Sequence, residues 1–134
     1  YAHEGRLKYC YNLLGLKQFH VDSNGAPAIP AGKHQVRMEF AYDGGGLAKG
    51  GTVSLYLDGE KLGEGRVDAT AAMIFSADDT LDVGEEGGAL VSEDYGQDNA
   101  FSGHVKWVQI DLSTDDGDHM VTDDERVRVA MARQ

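Results

Sequence analysis

Acidic side chains form the densest group of residues in this sequence that could do chemistry. Asp78 and Asp79 are followed by Asp82 and Glu86, and a pair of glycines comes next at 87–88. Carboxylates and backbone carbonyl groups are the hard oxygen ligands that Ca²⁺ prefers. These four side chains are candidate calcium ligands, although we expect no cofactor. Solvated loop carboxylates are the simpler alternative, because the run shows no ordered ligand spacing.

Two aromatic side chains fall on the polar faces of predicted strands. Tyr56 and Trp107 each alternate with apolar neighbours, and Arg37 occupies the polar face of a nearby strand. Aromatic rings beside polar groups can stack against sugar rings, and an exposed aromatic patch marks a contact of some kind. Tyr56, Trp107 and Arg37 are therefore candidate ligand-binding residues. The alternative is that the rings pack under loops or against a neighbouring domain.

No catalytic constellation accompanies these candidates. The single cysteine, Cys10, has no local base beside it and no helix start that would favour its thiolate. The five histidines show no metal-binding spacing. The glycine-rich stretch around Lys49 fits neither nucleotide-binding motif, because a strand follows it and the Gly-Lys order is missing. We assign no catalytic residue.

Length and charge restrict the class of protein. A chain of 134 residues corresponds to a single domain, here residues 1–134, with enough length to bury a core. The formal net charge of -11 disfavours nucleic acid and anionic membranes as partners. No apolar run is long enough to span a bilayer, and the first residues carry no signal-peptide pattern. We expect a soluble chain, and its compartment stays open.

Alternating polar and apolar residues predict β-structure along most of the chain. Asp58-Gly59 is a two-residue hairpin turn, and the glycine-rich stretch joins two strands as a longer hairpin loop. Predicted strands run from Leu7 to Tyr11, Phe19 to Val21, Val36 to Tyr42, Val53 to Leu57, Leu62 to Val67, Met73 to Phe75, Leu81 to Val83 and Val108 to Leu112. Many short strands with glycine-rich turns indicate an all-β, antiparallel β-sandwich.

Only the last residues carry a helical pattern. Thr122 and Glu125 have the spacing of a capping box, in which each satisfies a free backbone amide of the first turn. The pattern predicts a short C-terminal helix from about Asp123 to about Arg133.

Four stretches of the chain together resemble a known family. They read GRLKYCYNLLGLKQFHV, PAGKHQVRMEFAYDGGGLAKGGTVSLYLDGEKLGEGRV, FSADDTLDVGEEGGALVSEDYG and FSGHVKWVQIDLS, and the chain ends in MARQ. In this order they are similar to the C-terminal region of the large bacterial arylsulfatases, sulfatase-family enzymes with an appended β-sandwich. The resemblance covers nearly the whole chain.

The resemblance implies a jelly-roll sandwich of the concanavalin A-like lectin and glucanase type. It also implies a non-catalytic accessory domain whose partner is the sulfatase catalytic domain. The family's nucleophile is a cysteine in a C-x-P-S-R type motif, which the residues after Cys10 do not match. The family's catalytic calcium ligands belong to an α/β domain that this sequence does not contain. We expect the chain to be a fragment that starts inside its domain, without the first strands of the sandwich.

Two further expectations follow. A sandwich without its first strands has unpaired backbone groups at a sheet edge, so we expect a homodimer or larger assembly with the strand from Leu7 to Tyr11 at or near the contact. A carbohydrate-binding, lectin-like module is the alternative function. We favour the accessory domain, because a module for sulfated glycans would be expected to show a basic patch.

Overall fold

The computed structural model describes residues 1–23, 25–73, 81–112 and 131. These residues contain six strands, which are β1 (Ala2–His3), β2 (Arg6–Leu13), β3 (Lys17–Asp22), β4 (Val36–Tyr42), β5 (Gly51–Leu57) and β6 (Glu60–Val67). They form two three-stranded sheets in the orders β1-β2-β3 and β4-β5-β6, and every pairing is antiparallel. For the described part of the chain, the prediction of all-β, antiparallel structure is confirmed.

Two tight turns fix the register of neighbouring strands. Glu4 and Gly5 connect β1 to β2, and Asp58 and Gly59 connect β5 to β6. All four have positive φ, at 50°, 71°, 50° and 87°. Positive φ at both central residues is the requirement of the type I′ turn, whose twist matches that of the flanking strands. The Asp58-Gly59 hairpin therefore forms as predicted.

The glycine-rich stretch is the loop between β4 and β5, so the predicted hairpin connection is confirmed. Tyr42 holds this loop, because its hydroxyl donates to the carbonyl of Gly46 at 2.5 Å and accepts from the amide of Lys49 at 3.0 Å. Gly44 and Gly45 both have φ above 70°. That backbone conformation is strained for other residue types, which accounts for the glycines here.

The core lies between the two sheets, where β3 packs on β6. Val53 and Val67 are fully buried and Leu55 is 2% exposed, and these three side chains meet those of Leu7, Phe19 and Val21. Two glycines of β6 permit the contact. A Cβ at Gly65 would lie 2.6 Å from a methyl carbon of Val21, and one at Gly63 would overlap the carbonyl oxygen of Asp22.

Residues 81–103 form irregular loops that are attached to the first sheet. The Cys10 thiol donates to the carbonyl of Val91 at 3.3 Å, and the ring of Tyr1 packs edge-on against Tyr95 with 5.1 Å between centroids. Residues 104–112 follow without strand pairing. No helix among the residues described here is long and apolar enough to cross a membrane.

Two predicted strands are wrong. Residues Leu81 to Val83 and Val108 to Leu112 have no strand structure, and the apolar side chains in both segments are exposed. Alternation predicts which face of a strand would be buried, but a strand also needs a neighbour that accepts its backbone hydrogen bonds. The predicted strand from Met73 to Phe75 lies outside the described residues after Met73. The predicted helix lies outside them except for Met131.

Candidate functional site

The most unusual surface of the described chain is the apolar side of β4. Val36, Met38 and Phe40 are 54%, 47% and 37% exposed, although the equivalent apolar residues of β5, Val53 and Leu55, are almost completely buried. β4 occupies an edge of its sheet, since β5 is its one neighbour among the described strands. A row of large apolar side chains at an exposed edge is a candidate contact surface for another molecule.

The backbone of β4 has an open side at the same residues. Beside the strand, the carbonyl of Gln35 accepts from the amide of Asp58 at 2.8 Å, and the amide of Asp43 donates to the carbonyl of Gly50 at 3.0 Å. Along an antiparallel strand, every second residue directs its backbone amide and carbonyl groups to the same neighbouring strand. The odd-numbered residues of β4 therefore bond to β5, and the amide and carbonyl groups of Val36, Met38 and Phe40 point to the edge.

Arg37 and Tyr56, two of the candidate ligand-binding residues, lie together on the other face of β4 and β5. They are cross-strand partners, and the Arg37 guanidinium carbon lies 4.2 Å from the centroid of the Tyr56 ring. Arg37 also forms an ion pair with Glu39 at 3.0 Å. One face of the Tyr56 ring is thus covered by a cation, which occupies a position where a sugar ring would stack.

Trp107, the third candidate, lies in the irregular segment 104–112 and is 61% exposed. The segment begins after Phe101, whose amide donates to the carbonyl of Gly84 at 2.6 Å. The other large apolar side chains of the segment are also exposed: Val105 at 41%, Val108 at 57%, Ile110 at 63% and Leu112 at 83%. The segment is a second exposed apolar region of the described chain.

The carboxylates proposed as calcium ligands have partners of their own where the structure describes them. Glu86 accepts from the amide of Val91 at 2.9 Å and from the hydroxyl of Tyr95 at 2.5 Å. Asp82 accepts from the amide of Gly87 at 3.0 Å. Asp78 and Asp79 lie outside the described residues.

The two described carboxylates therefore hold the loops of residues 81–103 together. No group of three or more histidine, cysteine, aspartate or glutamate side chains with the geometry of a metal site occurs within residues 1–23, 25–73 and 81–112. Calcium binding at these four carboxylates stays an untested alternative.

Cys10 has the surroundings of a structural cysteine. It is a buried residue of β2, and burial together with the negative charge of Asp94 raises the pKa of its thiol. The thiolate is the nucleophilic form of cysteine, so a raised pKa makes this side chain less reactive.

The sequence reasoning missed a polar cluster around Asp94. Its carboxylate accepts from the ammonium group of Lys8 at 2.8 Å and from the hydroxyl of Tyr1 at 2.5 Å, and these two bonds lower the pKa of Asp94 to about 2. The cluster borders a cavity of about 220 Å³ that His20 also lines. Lys8 lies in β2, and the backbone of Tyr1 is hydrogen-bonded to that of Lys8, so the cluster attaches the loops to the first sheet.

The strand from Leu7 to Tyr11, the predicted dimer contact, lies inside the first sheet. β2 has β1 beside Arg6 and Leu7 and β3 beside residues 8–13, and Leu7 belongs to the core. The open edge that the structure shows most clearly is that of β4.

Comparison of the chain with protein-family models, with curated proteins and with solved structures finds no match in any of the three.

Proposed function

We propose that this chain is a non-catalytic accessory domain of the kind appended to bacterial arylsulfatases, and that it packs on a sulfatase catalytic body. The observation that carries the proposal is the apolar row of Val36, Met38 and Phe40 on β4, which a domain with no partner would bury. The sequence resemblance supplies the identity of the partner. The finer fold that we propose is a jelly roll of the concanavalin A-like type with a C-terminal helix from about Asp123 to about Arg133.

The chemistry of the described residues agrees with a supporting role. Cys10 is buried and its raised thiol pKa weakens it as a nucleophile. The carboxylates of Asp82, Glu86 and Asp94 accept hydrogen bonds that hold loops in place. A domain whose cysteine is buried and whose carboxylates hold loops supports a partner by packing against it and supplies no reacting group.

A carbohydrate-binding module is the second candidate. The exposed ring of Trp107 and the ring of Tyr56 beside Arg37 favour it, because exposed aromatic side chains on a sheet can stack on sugars. Two observations weigh against it. The guanidinium of Arg37 covers one face of the Tyr56 ring, and the net charge of -11 repels sulfated glycans.

One binding experiment compares the two candidates. The chain is immobilised and offered either the catalytic body of a bacterial arylsulfatase, produced without its C-terminal sandwich, or a panel of neutral and sulfated glycans. We expect the catalytic body to be retained and the glycans to pass through. Micromolar glycan binding that is lost in Trp107→Ala or Tyr56→Ala, with no retention of the catalytic body, would replace the accessory domain by the lectin-like module.

A further inference from the structure

The open edge of β4 and the segment 104–112 have complementary patterns. Each carries a large apolar side chain at every second position, and all six of these side chains are exposed. They are Val36, Met38 and Phe40 in β4, and Val108, Ile110 and Leu112 in the segment. In β4, the backbone amide and carbonyl groups of Val36, Met38 and Phe40 point to the open edge. Among the described residues, no strand pairs with β4 on this side, and the segment 104–112 pairs with no strand.

Charges select one antiparallel register between them. With Met38 opposite Ile110, Val36 lies opposite Leu112, Phe40 opposite Val108, and the cation Arg37 opposite the anion Asp111. A cross-strand pair of opposite charge and a row of apolar pairs both stabilise a sheet.

Antiparallel registers shifted by two residues keep two or three apolar pairs, but both lose the Arg37–Asp111 pair of opposite charge. A shift of two residues in one direction places Glu39 opposite Asp111, which is a pair of like charges. A shift in the other direction places Lys106 opposite Phe40. A shift of one residue moves the whole apolar row to the polar face.

We propose that residues 106–112 of a second copy of this chain add to β4 as an antiparallel strand, and that the exchange is reciprocal and makes a two-fold symmetric homodimer. The inference stands apart from the sulfatase resemblance, because it uses only residues of this chain. Val36, Met38 and Phe40 exchange backbone hydrogen bonds with Leu112, Ile110 and Val108 of the second copy. One chain carries both complementary parts, so two copies satisfy both edges.

The attachment of the segment favours a second copy over the same chain. The segment directly follows the loops 81–103, which the hydrogen bond between Phe101 and Gly84 closes, and those loops are held on the first sheet through Lys8 and Asp94. β4 lies in the other sheet, separated by β5 from β6, the strand that packs on the first sheet. With the new strand added, the apolar side chains form two adjacent rows of three on one face of the sheet. That face stays free to pack on a catalytic body.

Charge reversal tests the register. Sedimentation equilibrium of the parent chain gives a dimer at micromolar concentration, and Arg37→Asp or Asp111→Arg weakens the dimer about tenfold, because each introduces two symmetry-related pairs of like charge. The double variant recovers most of the loss. Lys17→Asp, in β3 of the first sheet, and Asp98→Arg, in the loops 81–103, make the same changes of net charge at exposed positions outside the second sheet and leave the dimer unchanged. A monomeric parent, or a double variant no better than the single ones, would overturn the proposal.

Cross-linking identifies which copy supplies the strand. Glu39 and Gln109 form a non-hydrogen-bonded pair in this register, with Cα atoms about 4.5 Å apart, which suits a disulfide. In a Cys10→Ala background, Glu39→Cys with Gln109→Cys gives a covalent dimer on oxidation, whereas Glu39→Cys with Asp111→Cys, two residues out of register, gives much less. A cross-link confined to the monomer band would assign the strand to the same chain, and the absence of any cross-link would reject the pairing.

Discussion

At the scale of single residues, Asp94 adds a charged contact to the Cys10–Val91 and Tyr1–Tyr95 contacts that attach the loops of residues 81–103. It accepts hydrogen bonds from Lys8 of β2 and from Tyr1, the residue before β1, and its pKa is lowered to about 2. Asp94 lies 86 positions after Lys8, so no local spacing in the sequence could reveal the pair. Contacts of this range depend on the packing of the whole chain.

Removal of this charge destabilises the protein in a pH-dependent way. We expect Asp94→Asn to lower the free energy of unfolding at pH 7 by about 1 kcal/mol, a typical value for a partly exposed charged hydrogen bond. The folded pKa is below the ordinary value of about 3.9, so the unfolded chain binds the proton first as the pH falls. The contribution of Asp94 is thus complete above about pH 4 and is lost towards pH 2.

Urea denaturation between pH 2 and pH 7 measures this effect. The difference between the parent chain and Asp94→Asn shrinks as the pH falls through this window. Asp98→Asn, which neutralises an exposed carboxylate in the same loops, serves as the matched control and changes stability little. Equal losses in the two variants would show that Asp94 has no special role.

At the scale of strands and turns, the sequence predicts what is local. The Asp58-Gly59 turn and the glycine-rich loop determine their hairpins within a few residues, and both form as expected. The residues from Val108 to Leu112 have an equally clear alternation and form no strand, because a strand also depends on a neighbour from elsewhere. The stacking of β3 on β6 was not predicted either, since glycines in a strand do not indicate which strand they meet.

The close approach of these two strands predicts an order of severity among glycine substitutions. Gly63→Ala destabilises the chain more than Gly65→Ala, because the added methyl group overlaps the backbone carbonyl of Asp22 in the first case and a side-chain methyl group of Val21 in the second. Side chains can rotate away from a clash, but a paired backbone must move as a unit. We expect losses of about 1–3 kcal/mol, with Gly63→Ala at the upper end.

Thermal or chemical denaturation of the two variants checks this order. Gly96→Ala is the control, because nothing lies within 4 Å of an added Cβ there. A stable Gly63→Ala variant would mean that the two sheets are farther apart than the structure shows.

At the scale of the whole molecule, β4 and the segment 104–112 each expose a row of three large apolar side chains. The buried core of the described residues, by contrast, is a cluster of six side chains shared between the sheets. We propose that contact with other protein surface covers these exposed side chains. The acidic net charge is consistent with this view, because it disfavours nucleic acid and anionic membranes.

Calorimetric titration of the chain into a sulfatase catalytic body tests the central claim, which is that the apolar row of β4 is a docking surface for that body. We predict micromolar or tighter binding with a negative heat-capacity change, the mark of apolar burial. Met38→Asp abolishes the binding, while Leu16→Asp, which adds the same charge at an apolar position that is 84% exposed and lies outside β4, preserves it. Absence of binding by the folded parent chain, or equal binding by Met38→Asp, would contradict the account.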